Sequence, residues 1–525
     1  MSLAVAGTKV TPRPCARSIL METELKFALS PEARRIIEHH VALHRNATEA
    51  TAAHTDRTIY FDTSDVALRR AGFSLRIRHR RGPAGDDGKY VQTIKAAGNG
   101  SGLRRQEWEW TIAGADLELE RLDEVPGLSA ALTGGHADLQ PVFCTEVRRS
   151  AQVLHPANGV RVELALDDGV IVAGRQTEPL SELELELKEG PPEALLRLGL
   201  EFVQAAPLSL QIERRADHGY RLQDGHGSGA HKAAEVVVAP RASAAEGFAR
   251  LAGSALEHLL ANQPAALRGE QTEGVHQMRV AVRRLRSLLL LFAPLVEQNN
   301  RRRFTDELRR FGDCLGTARD WDAFVEETLP KAHVHGLDHG WMESLRQVAE
   351  EKRHAAHQAV KKAIAEPAFA RFVLSFRAWS GCAEAALTPH VSTLSMKDVA
   401  GNLLGRLERK VARRLDRSDA DDPASLHALR KSVKKLRYGI EYLDALFGPE
   451  AQRYVKRCNA LQKKLGALND LETASRCVVD LADNGRLDLA PAMGALVNWG
   501  EAKRPKLVKK ALKARAAYSR QGRFW

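Results

Sequence analysis

Two stretches 151 residues apart repeat one pattern, and this duplication restricts the second half of the chain to two copies of one unit. His276-Gln-Met-Arg279-Val-Ala-Val-Arg283-Arg284-Leu-Arg286 aligns with His427-Ala-Leu-Arg430-Lys431-Ser-Val-Lys434-Lys435-Leu-Arg437. Further on, Leu315-Gly316-Thr-Ala-Arg319-Asp320 aligns with Leu465-Gly466-Ala-Leu-Asn469-Asp470 at an offset of 150. Offsets that agree within one residue over two separate blocks mark a repeated helical unit.

At the angular step of a helix, His276, Arg279, Arg283 and Arg286 fall within about 80° of one another, with Val282, Leu285 and Leu289 roughly opposite. The second copy sets His427, Arg430, Lys434 and Arg437 against Leu429, Val433, Leu436 and Ile440. One such helix is ordinarily a solvated basic face. Two copies with the same His-x-x-Arg start and the same basic register favour a shared groove for a polyanion. Arg319-Asp320 and Asn469-Asp470 read as capping or inter-helix pairs.

Charge follows the same division. Residues 1–235 carry 29 Lys+Arg against 33 Asp+Glu, a net of −4, and residues 236–525 carry 49 against 33, a net of +16. The excess that gives the whole chain +12 therefore lies in the helical half, where it favours polyanionic partners. Nucleic acid satisfies the same charges and stays open as a competitor. Against it stand the absence of a zinc-finger or RNA-binding aromatic signature and an aromatic content of only 6%.

The first half has a different period. Glu22-Thr-Glu24-Leu-Lys26-Phe, Leu75-Arg76-Ile-Arg78, Arg105-Gln-Glu107-Trp-Glu109, Val160-Arg-Val-Glu163-Leu and Glu182-Leu-Glu184-Leu-Glu186-Leu-Lys188 alternate with period two and read as strands. Pro31 to His44 and Pro192 to Gln204 have helical spacing instead. Residues two apart on a strand share a face. Carboxylates concentrate on the first and late strands, guanidinium and ammonium groups on those between. A closed barrel whose lumen pairs these charges or binds ions accounts for that division. Its carboxylates suit Mg²⁺ or Mn²⁺, and its Lys and Arg suit phosphate oxygens.

The ordered set Glu22-x-Glu24-x-Lys26, Tyr60-Phe-Asp-Thr, Leu75-Arg-Ile-Arg78, Thr93-Ile-Lys95, Arg105-x-Glu107, Glu163-x-x-x-Asp167 and Glu182-Leu-Glu-Leu-Glu186 resembles the CYTH superfamily of triphosphate tunnel metalloenzymes. The resemblance implies an eight-stranded antiparallel β tunnel that hydrolyses inorganic triphosphate to pyrophosphate and phosphate with Mg²⁺ or Mn²⁺. It implies Glu22, Glu24, Glu184 and Glu186 as leading metal ligands, with Glu163, Asp167 and Glu182 as neighbours. Glu22, Glu24 and Lys26 form its catalytic signature. Lys26, Arg76, Arg78, Lys95, Arg105, Arg149 and Arg215 would bind phosphates. The chain departs from the family at Arg214-Arg215-Ala-Asp-His218-Gly219, where members carry Ser-Lys-x-x-Arg-Gly; Arg215 keeps the charge of the lysine, and His218 replaces an arginine.

The duplicated motif resembles the CHAD domain, the conserved-histidine α-helical domain. That resemblance implies two four-helix halves about a pseudo-twofold, whose basic helices line a groove for polyphosphate. His276, Arg279, Arg283, Arg284, Arg286, His427, Arg430, Lys431, Lys434, Lys435 and Arg437 are the expected polyphosphate contacts.

The expected architecture is thus an α+β multidomain chain: a disordered extension at 1–20, the tunnel at 21–222, a Gly- and Ala-rich linker at 223–242, and an all-α duplicated domain at 243–520 with repeats of about 243–390 and 391–520. Met21 is a second candidate start. Six scattered cysteines without a CxxC pair fit a reducing, cytoplasmic setting, with polyphosphate granules as a candidate location. The longest apolar run, Leu288 to Val296, is too short to span a membrane. Two other functions remain open at this stage: a non-catalytic polyphosphate-binding protein, and an enzyme for an organic triphosphate such as an adenylate cyclase or thiamine triphosphatase.

Overall fold

The computed structural model describes residues 20–40, 47–50, 53–81, 88–96, 104–132, 138–225, 229–269, 271–332, 339–382, 386–419, 422–482, 489–519 and 522–525. The expected N-terminal extension lies outside these except for Leu20.

Eight long strands form a closed antiparallel ring: β1 (Leu20–Ala28), β3 (His54–Asp62), β4 (Phe73–Arg81), β5 (Lys89–Ala96), β6 (Arg104–Ile112), β7 (Gln140–Leu154), β8 (Arg161–Ala173) and β9 (Gln176–Glu189). They run in the order β1-β6-β5-β4-β3-β7-β8-β9, and β9 returns to β1. Two short strands, β2 (Ala47–Ala50) on β7 and β10 (Ser209–Leu210) on β1, bring the sheet to ten. The expectation of eight describes the ring but not these additions. β10 exists because β1 changes partners: Leu20–Thr23 pair with β6 and Glu24–Ala28 with β9, leaving an edge at Phe27 and Ala28 that Leu210 and Ser209 complete.

With charges facing inward, the apolar residues of each strand face out and must be covered. Leu25, Phe27, Leu183 and Leu185 are buried in one core with residues of helix α2 (Pro192–Ala205), including Leu195 and Phe202. Helix α1 (Pro31–Glu38) starts at Ser30, whose Oγ accepts from Ala33 N at 3.0 Å, and contributes Ala33 and Ile37 to the same core. The outer faces of β3 to β6 are covered separately by residues 119–132.

Helix α3 (Arg215–Asp224) packs against one end of the ring, where Ala216 and Tyr220 share a core with Tyr60, Phe143 and Val147. Asp62, fully buried, ties it down: its carboxylate accepts from Leu68 N, Arg69 N and the Tyr220 hydroxyl at 2.6 to 3.0 Å. Gly219 permits the close approach, since a Cβ there would lie 2.1 Å from the Phe143 ring. That ring is stacked on Tyr60 and edge-on to Tyr220, so it has little room to yield. Gly219→Ala is expected to destabilise the protein by about 1–3 kcal/mol, seen as a lower denaturation midpoint.

The second half is helical. Helices α4 (Ala244–Ala261), α5 (Glu273–Leu291), α6 (Gln298–Ala323) and α7 (His339–Ala365) are followed by α8 (Pro367–Gly381). Then α9 (Met396–Asp416), α10 (Pro423–Leu443), α11 (Pro449–Ala482) and α12 (Ala490–Ser519) repeat the first four, with starts 150 to 152 residues later. The copies meet at their first helices. Ser243 and Ser395, the N-caps of α4 and α9, form an isolated antiparallel bridge, with Ala244 N donating to Leu394 O and Met396 N to Ala242 O. The apolar faces expected of α5 and α10 are buried, from Val282, Leu285 and Leu289 to Leu429, Val433, Leu436 and Ile440.

Helix α8 lies between the repeats and packs on α2 of the strand domain. Gly199 lies at this junction: a Cβ there would stand 2.7 Å from Leu25 and 3.4 Å from Leu374. The connecting segment is also held in place, because His231 N donates to Asn262 Oδ1, Asn262 Nδ2 donates back to His231 O, and Val238 is buried.

Candidate functional site

Strand register turns the charged alternation into rows inside the ring. Glu24 lies opposite Glu186 across β1–β9, and Glu186 opposite Glu163 across β8–β9, so three adjoining strands present three carboxylates side by side. Lys26 lies opposite Glu184 in the next row. Beyond it Glu182 faces Asp167, and Asp167 faces Arg149. Glu24, Lys26, Arg149, Glu163, Glu184 and Glu186 border a cavity of about 300 Å³ together with Arg76, Arg78 and Lys95 from β4 and β5.

The wall of β4, β5 and β6 is cationic but anchored. Arg76 and Lys95 approach Glu107 at 3.6 and 3.2 Å, and Arg78 approaches Glu109 at 3.2 Å. Burial, followed by the neighbouring Arg76, lowers the affinity of Arg78 for its proton. Asp56, Arg80, Glu109 and Arg214, which are not among the expected site residues, also line the cavity. Arg80 and Glu109 were legible, since each continues an i, i+2 face already marked by Arg76-x-Arg78 or Arg105-x-Glu107. The ladder sets Glu22 opposite Arg105, but the side chains of these two residues lie outside those described.

A buried acidic cluster of Asp167, Glu182 and Glu184 has carboxylate oxygens within 4.8 Å of one another. Two guanidinium groups fill it. Arg149 donates twice to Asp167, at 2.8 and 2.6 Å, and also reaches Glu184. From the first turn of α3, Arg215 donates to Glu182 and Glu184 at 2.9 Å each and also pairs with Asp167. Lys26 adds a third cation, 2.9 Å from Glu184 and 3.5 Å from Glu24. Burial opposes the charge of Glu184, but Arg215, Lys26 and Arg149 outweigh it and hold the carboxyl well below its usual range. Burial likewise opposes the charge of Lys26, and Glu184 and Glu24 reverse the effect and raise it.

Glu184, one of the expected metal ligands, thus lies among three cations in the row next to that of Glu24, Glu163 and Glu186. The row of Glu24, Glu163 and Glu186 is an all-carboxylate oxygen donor set on three adjoining strands, with Lys188 2.6 Å from Glu186 and 3.8 Å from Glu163. Carboxylate oxygens are the donors a hard divalent cation takes, whereas the carboxylates whose oxygens converge within 4.8 Å among the described residues are Asp167, Glu182 and Glu184.

His218 also finds a partner. Its Nε2 lies 3.1 Å from Glu213 and its Nδ1 3.4 Å from Glu178, which places it between two carboxylates. Burial pulls its pKa down, but the hydrogen bond and charge of Glu213 outweigh this and raise it. A raised folded-state pKa contributes stability that is complete below the unfolded value of about 6.5 and lost as pH rises through the folded value. The stability advantage of the wild type over His218→Ala is therefore expected to shrink from pH 6 to pH 9 in denaturant titrations.

In the helical domain, α5 and α10 bring His276, Arg279, Arg283, Arg430, Lys434 and Arg437 into one region. Arg279 faces Asp320 at 4.0 Å, Arg430 donates to Asn469 at 3.4 Å, and Arg283 Nε donates to the Tyr438 hydroxyl at 2.7 Å. The two glycines of the repeated Leu-Gly blocks face the two repeated arginines: a Cβ at Gly316 would lie 3.9 Å from Arg279 Nε, and one at Gly466 4.0 Å from Arg430 Nε. Arg319-Asp320 and Asn469-Asp470 lie within α6 and α11, where Asp320 and Asn469 make inter-helix contacts and not caps.

Lys434 is the most perturbed member. Its burial, then the charges of Arg283, Arg430, Arg279 and Arg437, push its pKa down to about 6. Burial also lowers His276 and His427, which favours the neutral imidazole in both. The nearby Asp320 and Asp470 are raised by burial and counter this positive charge weakly. Not every expected contact joins the group. Arg284 lies over the Tyr442 ring, 5.5 Å from its centre, and Arg286, Lys431 and Lys435 form a neighbouring cationic patch with Lys410.

Comparison with known proteins follows the same division. Residues 20–220 match the CYTH domain model and residues 250–479 the CHAD domain model. A protein of Haemophilus influenzae named inorganic triphosphatase is 28% identical over 214 residues, which cover 39% of this chain and 55%, about half, of that relative. An uncharacterized protein of Mycobacterium tuberculosis is 26% identical over 408 residues, covering 72% of this chain and 74% of its own length. The crystal structure of the CHAD domain from the plant Ricinus communis aligns over 55% of this chain and 98% of its own, with 28% identity and a TM-score of 0.49. The chain belongs to the proteins in which a CYTH domain is followed by a CHAD domain.

Proposed function

We propose that the strand tunnel hydrolyses inorganic triphosphate to pyrophosphate and phosphate with Mg²⁺ or Mn²⁺, and that the helical domain binds polyphosphate and brings the protein to polyphosphate granules. The observation that carries the catalytic part is the row of Glu24, Glu186 and Glu163 facing a cationic wall inside one closed ring. The Haemophilus relative supports the choice of substrate.

In this reading Glu24, Glu163 and Glu186 would hold the divalent cation, with Glu22 as a further ligand. When bound, the cation supplies positive charge against the phosphoryl oxygens. Arg76, Arg78, Lys95 and Arg105 grip the triphosphate from the wall of β4, β5 and β6, and Arg149 and Arg215 meet it from the acidic cluster. Glu184 keeps Lys26, Arg149 and Arg215 in place and charged. Water attacks the terminal phosphorus in line; its P–O bond forms as the bridging P–O bond breaks, pyrophosphate leaves, and a proton is released. The fixed cations neutralise charge developing on the leaving oxygen without reorganising during the step.

Tyr60 is the one aromatic side chain among the described residues lining the cavity, which leaves a nucleobase or thiazolium ring little to stack on. A panel of triphosphate, long polyphosphate, ATP and thiamine triphosphate, each with Mg²⁺ and Mn²⁺, tests the reading. Triphosphate is expected to have the highest kcat/KM. A preference for ATP or thiamine triphosphate contradicts this choice, and no turnover of any of the four leaves a binding protein.

A further inference from the structure

The segment that carries Arg214 and Arg215 into the tunnel is held from outside by the helical domain. Gln263, almost fully buried, donates from Nε2 to Leu210 O at 2.9 Å, and the Ser209 hydroxyl donates to Ala365 O. Arg268 Nη1 then reaches Glu213 Oε1 at 2.9 Å, with both side chains largely enclosed. Glu213 immediately precedes Arg214-Arg215, and its second oxygen accepts from His218 on the first turns of α3. Arg268 is itself braced, since Lys361 Nζ donates to its carbonyl at 3.0 Å. Three anchors from the helical domain thus fix residues 209–213, and the next two side chains enter the cavity.

We propose that Arg268 of the helical domain is a positioning residue for the tunnel: by holding Glu213 it sets the seat of α3 and with it the placement of Arg215 among Asp167, Glu182 and Glu184. Arg268 does not line the cavity, so its effect on triphosphate passes through Glu213 and α3. The claim rests on the proposed triphosphatase reading only for its kinetic readout. Small displacements of a substrate-gripping group are costly to turnover. The same linkage makes the two domains interdependent, as loosening the helical domain at residues 263–268 loosens the tunnel's guanidinium.

The test uses the full-length chain. In Arg268→Ala, hydrogen–deuterium exchange is expected to rise across residues 209–224 and stay unchanged in α9 to α12, while KM for triphosphate rises roughly tenfold with a smaller change in kcat. Arg268→Lys is expected to recover part of the KM, and the charge swap Arg268→Glu with Glu213→Arg to recover more than either single reversal. Unchanged exchange at 209–224 overturns the proposal whatever the wild type does with triphosphate, as does a KM equal to that of an active wild type. A wild type without turnover, with exchange raised in the variant, removes the triphosphatase reading and leaves the positioning of α3 standing.

Discussion

Glu24→Gln is expected to lower phosphate release from triphosphate by about 10³-fold or more, because it removes the charge that β1 contributes to the row shared with Glu186 and Glu163. The substitution keeps size and removes only charge, so folding is expected to survive. Lys26 keeps its main partner, Glu184 at 2.9 Å, against 3.5 Å for Glu24, and the cationic wall is not displaced. Calorimetric titration with Mn²⁺ checks the cause separately from turnover: affinity is expected to fall in Glu24→Gln and to change far less in Glu107→Gln, whose carboxylate is paired with Arg76 and Lys95. Full activity in Glu24→Gln would remove the carboxylate row from the mechanism.

The second large effect is expected in the helical domain. Neutralising Arg279, Arg283, Arg430 and Lys434 together is expected to weaken polyphosphate binding by at least roughly 10³-fold, since hydrogen bonds to charged groups contribute about 1.5–3 kcal/mol each and are not fully additive. The dependence of the remaining affinity on salt should also flatten, because fewer counterions are exchanged. Lys434 carries a more specific signature. With a pKa pushed down to about 6 by burial and four arginines, it is mostly neutral at pH 7.5, and a polyanion seated beside it restores the proton. Binding is therefore expected to take up protons at pH 7.5, read by titration calorimetry in buffers of different ionisation enthalpy, and Lys434→Met is expected to abolish most of the uptake.

The same residue should reveal itself in stability. Its folded-state pKa lies below the ordinary lysine value of about 10.4, so the unfolded chain binds the extra proton between those values and stability rises with pH across that window. Lys434→Met is then expected to stabilise the unliganded protein most near pH 6 and hardly at all above pH 10. Site residues that weaken the fold while strengthening ligand capture are the expected outcome of gathering Arg279, Arg283, Arg430 and Lys434 with few acidic partners.

Much of this arrangement was legible in the residues. Period two at Glu182-x-Glu184-x-Glu186 and at Arg76-x-Arg78 identifies the inward face of each strand, and the 151-residue repeat pairs α5 with α10. What a single strand does not contain is its register against the next. Glu184 and Glu186 share one face, yet pairing sends Glu186 to Glu24 and Glu163, whereas Glu184 meets Lys26 and the guanidinium groups. Contacts distant in sequence were equally hidden: Arg215 reaches Asp167 across 48 residues, and Arg268 reaches Glu213 across the domain boundary. On α5, helical angle grouped Arg286 with Arg279 and Arg283, but the packing of α10 and α6 divides them. Arg284, part of the repeated motif, turns to Tyr442.

The most direct measurement is phosphate release from inorganic triphosphate by the purified full-length protein, with Mg²⁺ or Mn²⁺ and then with excess chelator. The account predicts equal amounts of pyrophosphate and phosphate, produced with either or both cations and stopped by the chelator. Intact triphosphate after prolonged incubation with both cations, under conditions where polyphosphate still binds, would contradict it.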